Sequence, residues 1–242
     1  MLSSSVIITI ILLSIIQSIV GVGLLVFGTP TLLLIGHDYI STLEILLPCS
    51  LLISLMQTWR ERKHIQGYKR KLIVCSVPAI VLGLSLVYFF GASLDLKMVI
   101  AIVMILTAVL RISSHANQIL VRLLSKFKRL YLILMGLIHG ISNMGGALLI
   151  IMTSNSFSEK KAIRGNIAFG YLVFALTQIV VLYLADPLFL QRVNLLFALI
   201  APTTFYLTET LIFKKVSEKG YRQMITTVIA LYGFSLFYSS LN

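Results

Sequence analysis

The chain has 242 residues, of which 58% are hydrophobic and only 12% are charged, and its mean hydropathy is +1.00. A soluble domain of this composition would expose far too much apolar surface to water, so that class of protein is excluded. The net charge of +12 would suit nucleic acid, but the basic residues lie between apolar stretches. No nucleic acid is therefore expected, and the predicted partners include anionic lipid headgroups on the cytoplasmic side of a membrane.

Eight apolar stretches follow one another along the chain: 6–35, 42–58, 72–90, 96–110, 130–152, 163–184, 193–213 and 223–240. A helix of about 20 residues crosses the hydrocarbon core. The pattern therefore predicts an all-α polytopic membrane protein that forms a single membrane domain over 1–242. The first stretch follows a terminus without basic residues, so we interpret it as the first membrane element and not as a cleaved signal.

Eighteen of the 20 Lys and Arg residues fall in four short segments, namely 59–71, 111–129, 158–164 and 214–222. Short basic loops stay on the cytoplasmic side of a membrane. If every apolar stretch crossed once, eleven of these residues would face one side and seven the other. If 6–35 and 130–152 each enter and leave on the same side, all four segments become cytoplasmic. The charges therefore favour a multi-pass protein of the cell inner (cytoplasmic) membrane with two re-entrant-like helical hairpins.

Both predicted hairpins contain residues that break helices. The first has Gly21, Gly23, Gly28 and Pro30, and the second has Gly136, Gly140, Gly145 and Gly146, with Ser142 and Asn143 between them. Glycine tolerates the backbone of a break within the membrane, and proline ends the hydrogen-bond ladder. The alternative is that these glycines let helices pack closely, as small residues do in membrane interiors.

Each half of the chain is then a broken hairpin followed by three transmembrane helices. The first repeat covers 1–115 and the second covers 125–242, and an odd number of crossings inverts the second relative to the first. Matched residues at nearly constant separation support the repeat: Gly23 with Gly145, Gln57 with Gln178, and Pro78 with Pro202. Inverted repeats with discontinuous helices are typical of secondary transporters, which bind their substrate near the midplane.

Two glycine-containing segments resemble the motifs of one known family. The segment Gln17–Pro30, which reads QSIVGVGLLVFGTP, and the segment Gly136–Ala147, which reads GLIHGISNMGGA, are similar to the two motifs of the sulfite exporter TauE/SafE (TSUP) family. The resemblance implies a transporter of small anions such as sulfite, sulfonates or related organosulfur and carboxylate compounds. The chain departs from the family's run of adjacent glycines, because it has Gly21-Val22-Gly23 there.

Helix N-termini exposed at the two breaks offer backbone N–H groups and a partial positive charge to an anion. The predicted substrate-binding residues are those around the breaks, namely Gln17, Gly21, Val22, Gly23, Ser142, Asn143, Met144, Gly145 and Gly146. The Asn143 side chain either donates to the substrate or caps a helix end.

Ionisable groups inside a membrane are costly and are therefore candidates for function. His139 lies at membrane depth and is either a packed neutral residue or a group that couples transport to protons. Glu209 lies one turn from the end of its stretch, where it either pairs with Lys214 or serves in proton coupling. Arg164 either attracts anions to the cytoplasmic mouth or anchors the topology.

The sequence has no Walker loop, HExxH pair or CxxC pair, so we expect no enzyme, no cofactor and no metal site. The favoured function is a secondary transporter of small anions that works by alternating access and has the option of forming a homodimer. Two alternatives remain open at this point. One is an exporter of amino acids or other zwitterions, and the other is a membrane subunit that scaffolds a complex without transporting anything.

Overall fold

The computed structural model describes residues 4–90 and 96–212 and a few isolated positions between 217 and 238. Most of the predicted crossing at 223–240 and most of the basic segment 214–222 lie outside the described residues. The regular elements of the described part are α-helices: α1 (Ser4–Val20), α2 (Leu24–Leu34), α3 (Tyr39–Arg60), α4 (Lys69–Phe90), α5 (Leu96–Ile112), α6 (Ser114–Lys126), α7 (Lys128–Ser142), α8 (Gly145–Ser156), α9 (Lys160–Ala185), α10 (Phe189–Arg192) and α11 (Leu195–Ile212).

Three of the described helices are long and apolar enough to cross a membrane. They are α3 and α4, with 22 residues each, and α9, with 26 residues. At 1.5 Å per residue these helices are about 33 to 39 Å long, which exceeds the hydrocarbon thickness of about 30 Å. Shorter apolar helices include α1, α2, the middle of α5, and α11. The regular structure of the described part is therefore all helical, and it includes helices suited to cross a membrane, as the sequence predicts.

Each predicted hairpin is broken once, and the two breaks share one backbone geometry. Gly21 follows α1 with φ +84°, and Asn143 follows α7 with φ +63°. The amide of Gly21 donates to the Gln17 carbonyl at 2.9 Å, and that of Asn143 donates to the His139 carbonyl at 2.8 Å. Both breaks are thus left-handed helix C-caps, which glycine and asparagine adopt most readily.

After the second break the chain turns back along the helix that precedes it. The Tyr131 hydroxyl, near the start of α7, donates at 2.7 Å to the carbonyl of Leu148 in the first turn of α8. In the first half, Gly28 of α2 packs against the Leu13 side chain of α1. Both helix pairs are therefore folded hairpins in which the second helix covers the first.

Four predicted breakers lie inside helices instead. Gly28 and Pro30 are part of α2, and Gly136 and Gly140 are part of α7. A Cβ at Gly136 would meet the Ser76 carbonyl at 2.5 Å, and one at Gly140 would lie close to the Ile80 carbonyl. These two glycines let α7 approach the backbone of α4, which is the alternative role that glycine has in membrane interiors.

The helices of the two halves pack in matching pairs. Helix α4 packs on α7 as α11 packs on α1, and α4 contacts α9 as α11 contacts α3. Helix α2 lies on α3 as α8 lies on α9, and α3 and α9 contact each other directly. Exchanging each helix for the one in the same place of the other half therefore reproduces these contacts.

The basic segment 111–129 contains a helix that the sequence analysis treats as a loop. Helix α6 covers Ser114–Lys126, with Leu120 buried at 9% exposure and its neighbours Ile119 and Val121 exposed at 46% and 40%. Apolar residues spaced along one helical face, with polar residues opposite, are typical of an amphipathic helix. The high content of basic residues hides this pattern when the segment is judged by charge alone.

Three of the basic segments come together at one end of the helices. His64 Nδ1 lies 3.4 Å from Glu159, which joins the segment 59–71 to 158–164. The Lys128 ammonium lies over the Tyr68 ring, 5.8 Å from its centroid, which brings in the segment 111–129. This grouping agrees with the threading in which these segments share one side.

Charged residues at the opposite end form a clamp around Arg192. Its Nε donates to Glu44 Oε1 at 2.5 Å, and its Nη2 donates to Asp186 Oδ2 at 2.7 Å. The hydrogen bond from Arg192 is the main cause that holds the pKa of the Asp186 carboxyl below its usual range. A lowered carboxyl pKa means that this contact is present at neutral pH and is lost as the pH falls through the lowered value.

We expect Arg192→Ala to loosen the connection between α9 and α11 without unfolding the protein. Exposed ion pairs contribute about 0–1 kcal/mol, so the thermal midpoint should change little. Amide hydrogen exchange in residues 186–194 should become faster at neutral pH, and mass spectrometry of peptides from the exchanged protein would measure it. Unchanged exchange in this segment would show that the clamp does not hold it.

Candidate functional site

The two hairpins meet where α2 crosses the start of α8. Asn143 Nδ2 donates to the Thr29 hydroxyl at 2.7 Å, and all atoms of both residues are shielded from solvent. A Cβ at Gly146 would lie 2.9 Å from Val26 Cγ2. The second break therefore contacts the middle of α2. Gly21 and Gly23 instead make their hydrogen bonds within the first hairpin, since Gly21 donates to the Gln17 carbonyl of α1 and the Gly23 carbonyl accepts from the Phe27 amide of α2.

The N-terminus of α8 is buried, and the side chain of its cap residue Met144 makes no capping hydrogen bond, while the Met144 amide donates to Ser142 Oγ at 3.4 Å. Gly145 and Gly146 begin the helix after Met144, and all three residues are buried. The Tyr171 hydroxyl lies directly against Gly146, so close that a Cβ at position 146 would clash with it. Within the described residues neither this hydroxyl nor Asn143 Oδ1 has a hydrogen-bond partner. Buried N–H groups at a helix start need hydrogen-bond acceptors, and the cap residue of α8 supplies none from its side chain.

The N-terminus of α2, in contrast, is occupied by the chain itself. The Leu24 amide donates to Gln17 Oε1 at 3.0 Å. Gln57 of α3 then donates from Nε2 to the Gln17 carbonyl at 3.3 Å. Gly23 allows this fold because a Cβ there would lie 2.9 Å from Gln17 Cβ and close to the Leu13 carbonyl. The first break is therefore a closed turn formed by Gln17, Gly21, Val22 and Gly23. Within it, the Gln17 side chain accepts from the first amide of α2.

His139 occupies the corresponding place in the second half, 122 positions after Gln17. It is fully buried, and its Nε2 lies 3.1 Å from Gln178 Oε1 of α9. Its ring packs on Phe174 with centroids 4.4 Å apart. With Gln178 Oε1 as the acceptor, Nε2 is a protonated ring nitrogen that donates. His139 thus turns away from α8, and this is why the start of α8 lacks the side-chain cap that Gln17 gives to α2.

Glu209 lies in a buried ion cluster between three helices. It forms an ion pair with Arg164 of α9 and another with Arg60 of α3, the latter at 2.5 Å. Arg164 is 0% exposed and Glu209 is 3% exposed, whereas the Arg60 side chain is 42% exposed. The Arg164 guanidinium also lies over the Phe205 ring, 5.9 Å from its centroid. Glu209 therefore pairs with Arg60 and Arg164, and the predicted partner Lys214 lies outside the described residues.

Three buried polar residues follow one another along α9 at intervals of seven. They are Arg164, Tyr171 and Gln178, and residues seven apart share a helix face with a spacing of about 10 Å. Arg164 belongs to the ion cluster, Tyr171 faces the start of α8, and Gln178 faces His139. This face of α9 therefore places the ion cluster and the polar groups of the second hairpin in one line about 20 Å long.

The predicted site residues divide into two groups in the structure. The first group lies at the buried start of α8 and consists of Asn143, Met144, Gly145 and Gly146. Ser142 precedes them, and its hydroxyl donates to the Ile138 carbonyl at 2.7 Å and accepts from the Met144 amide at 3.4 Å. The second group, at the first break, is the closed turn of Gln17 described above.

Neither Tyr171 nor the pairing of Arg60 with Glu209 is among the features that the sequence predicts. The hydroxyl of Tyr171 is a polar group in the middle of an apolar helix, which is the one signal in the sequence that could have indicated it, but the sequence does not show what the hydroxyl faces.

The described residues contain no group of three or more His, Cys, Asp or Glu side chains suited to hold a metal ion. Both cysteines have free thiols, with Cys49 buried and Cys75 partly exposed.

Comparison of the chain with the curated proteins and with the solved structures finds no match. The family described as Sulfite exporter TauE/SafE matches residues 6–236, which is nearly the whole chain. This range includes both hairpins, the start of α8, whose cap residue makes no side-chain hydrogen bond to it, and the polar face of α9. The protein therefore belongs to the TauE/SafE family of membrane transporters for sulfur-containing anions.

Proposed function

We propose that the protein carries sulfite or a small sulfonate across the cytoplasmic membrane by alternating access, and that the anion binds at the start of α8. The observation that carries the proposal is the buried, uncapped N-terminus of α8 with Asn143 and Tyr171 beside it. The start of a helix carries about half a positive charge and free N–H groups, which together bind anions.

The chemistry of these groups suits an oxyanion. Sulfite and sulfonates present three oxygen acceptors, and the site offers the amides of Gly145 and Gly146, the Asn143 side-chain amide and the Tyr171 hydroxyl as donors. Hydrogen bonds to an ionised acceptor are roughly twice as strong as those between neutral groups. An anion in this place would accept from the Tyr171 hydroxyl, which is buried without a partner among the described residues, and from the first amides of α8.

A zwitterion fits the site less well because its ammonium group needs a carboxylate. The two candidate acids of the apolar stretches are already engaged, since Glu209 pairs with Arg60 and Arg164 and Glu44 pairs with Arg192. The described surroundings of the α8 start contain glycine, hydroxyl and amide groups and no acidic side chain. This favours an anion over an amino acid.

An inverted repeat is the second part of the proposal. The left-handed residues Gly21 and Asn143 lie 122 positions apart in the chain. At the same separation, Thr31 donates to the Phe27 carbonyl and Thr153 donates to the Leu149 carbonyl, at 2.7 and 2.9 Å. Gly23 also packs on Leu13 and Gln17 as Gly145 packs on Met135 and His139. Two halves with the same internal structure and reciprocal packing support alternating access, in which one half moves against the other.

The polar face of α9 supplies a route between the site and the basic end. Arg164 lies two turns from Tyr171 on this face. It forms an ion pair with the Glu209 carboxylate, which is negatively charged as the proposed substrate is. We propose that the anion exchanges with Glu209 for Arg164 on its way to or from the cytoplasm. The basic end is cytoplasmic in this proposal, as the positive-inside pattern requires.

A thermal-stability panel with the purified full chain tests the substrate class. Binding to the folded state raises the midpoint as occupancy rises. Sulfite, thiosulfate, taurine, sulfoacetate, acetate and amino acids would be compared at equal ionic strength, with chloride as the control. We expect a saturable rise with a sulfur oxyanion and none with alanine. A rise with amino acids alone would favour the zwitterion exporter, and a flat response from a protein that co-purifies with a partner would favour the scaffold.

A further inference from the structure

A groove with a basic rim lies on the outer surface between α4 and α7. Its wider part has a volume of about 480 Å³ and is lined by Arg70, Lys71, Val74, Cys75 and Arg129. Three cations thus surround an apolar floor, and no carboxylate occurs among these described lining residues. The rim lies at the start of both helices, at the end where the basic segments gather.

The groove continues along the helices as an apolar channel of about 340 Å³. Val74 and Cys75 line both parts, and the continuation is lined by Pro78, Ala79 and Leu82 of α4 and by Ile133 and Leu137 of α7. Val74 is 63% exposed and Leu82 is 57% exposed, so the channel is open along its length. The small side chains of Cys75, Pro78 and Ala79 leave the space that a larger residue would fill.

The dimensions of the groove match one leaflet of a bilayer. Arg70 and Leu82 are twelve residues apart on α4, which is about 18 Å along a helix. Half of the hydrocarbon core is about 15 Å thick. A lipid with its headgroup at the rim would therefore extend its acyl chain to about the midplane within the channel.

We infer that this groove binds one molecule of an anionic phospholipid from the inner leaflet. The lipid phosphate lies among Arg70, Lys71 and Arg129, and an acyl chain fills the channel between α4 and α7. Basic pockets between membrane helices on the cytoplasmic side recognise anionic headgroups. Charge complementarity alone would suit any anion, but the apolar channel that joins the rim requires a ligand with a long apolar part.

The bound lipid would support the packing of the second hairpin. Helix α7 carries the break at Asn143, and it is held to α4 through Gly136 and Gly140 and through a 2.9 Å hydrogen bond from Ser76 to the Leu132 carbonyl. The acyl chain would cover the seam between the two helices on the lipid side. This inference does not depend on which substrate the protein transports.

Lipid binding is measured by native mass spectrometry of the detergent-purified full chain during titration with phosphatidylglycerol or phosphatidylcholine. We expect one phosphatidylglycerol to bind more tightly than phosphatidylcholine. The variant Arg70→Gln/Lys71→Gln/Arg129→Gln should lose that preference, since each basic residue near an anionic surface contributes about fivefold and three contribute on the order of a hundredfold. The control variant Arg62→Gln/Lys63→Gln/Lys161→Gln removes the same charge from exposed positions at the same end and should bind the lipid within about threefold of wild type.

A second variant tests the apolar channel without changing the charge. Val74→Trp fills the exposed floor that both parts share, and it should abolish tight phosphatidylglycerol binding while the thermal midpoint stays near that of wild type. Glycerophosphoglycerol, which has the headgroup without acyl chains, should not compete. Equal binding of both lipids, or an equal loss in the control variant, would overturn the inference. So would a dimer that Val74→Trp converts to a monomer with unchanged lipid binding, because the groove would then hold a second copy of the chain.

Discussion

Glu209→Ala lowers the free energy of unfolding by about 3–5 kcal/mol, because it leaves the Arg164 guanidinium buried without its carboxylate. Arg164 is 0% exposed and lies between α3, α9 and α11, so it cannot turn to water without moving a helix. For a chain of this length the loss corresponds to a fall in the thermal midpoint of about 10 °C. Thermal unfolding of the detergent-purified protein, followed by circular dichroism, measures it.

Two control variants separate the burial of the charge from the pairing itself. Arg60→Ala removes a partner whose side chain is 42% exposed, and it should cost about 1 kcal/mol or less. Arg164→Met combined with Glu209→Leu removes the buried pair together and should stay within about 1 kcal/mol of wild type. A Glu209→Ala shift as small as that of Arg60→Ala would mean that water reaches the cluster and that Arg164 is not isolated.

Gly145→Ala destabilises the protein by about 3 kcal/mol, and Gly23→Ala does so by a similar amount. In each case the new methyl group meets a backbone carbonyl of the preceding helix, that of Met135 or that of Leu13. Backbone atoms within a folded hairpin cannot move aside as the tip of a flexible side chain can. The thermal midpoint and the yield of monodisperse protein report the loss.

Gly67→Ala is the matched control for these two substitutions. Gly67 has φ +82°, but nothing lies within 4 Å of an added Cβ, so only the backbone penalty of about 1 kcal/mol applies. If Gly145→Ala were no worse than Gly67→Ala, then α8 would not be packed against α7 as closely as the structure places it.

The breaks could be predicted from the sequence, but the roles of the individual glycines could not. Gly21 and Asn143 mark the breaks because both residue types adopt a left-handed backbone, and this preference is local. Gly136 and Gly140 are the same residue type in the same stretch, yet they stay helical because α4 packs on them. Which of these outcomes a glycine takes depends on a neighbour that is distant in the chain.

The partners of the polar residues could not be predicted from the sequence for the same reason. Glu209 pairs with Arg60, which precedes it by 149 positions, while the nearer Lys214 was the predicted partner. The place of Tyr171 in the site could not be predicted, because it depends on Gly146, which brings the start of α8 against the Tyr171 hydroxyl. The match between Gln17 and His139 could not be predicted either, because the two residues are of different types and have different partners. Gln17 caps α2, whereas His139 contacts Gln178.

The most direct test of the anion site compares the binding of the best sulfur oxyanion to wild type and to Asn143→Gly. Glycine keeps the left-handed backbone at φ +63° and removes only the side-chain amide, which makes it a cleaner change than alanine. We predict affinity about tenfold to a hundredfold weaker, the value of one hydrogen bond to a charged group. Loss of the buried bond to Thr29 should lower the midpoint without ligand by only a few degrees, since one such bond contributes about 1 kcal/mol. Thr29→Val, which removes only the internal partner of Asn143, should bind nearly as wild type. Wild-type affinity in Asn143→Gly, or an equal loss in both variants, would contradict an anion site at the start of α8.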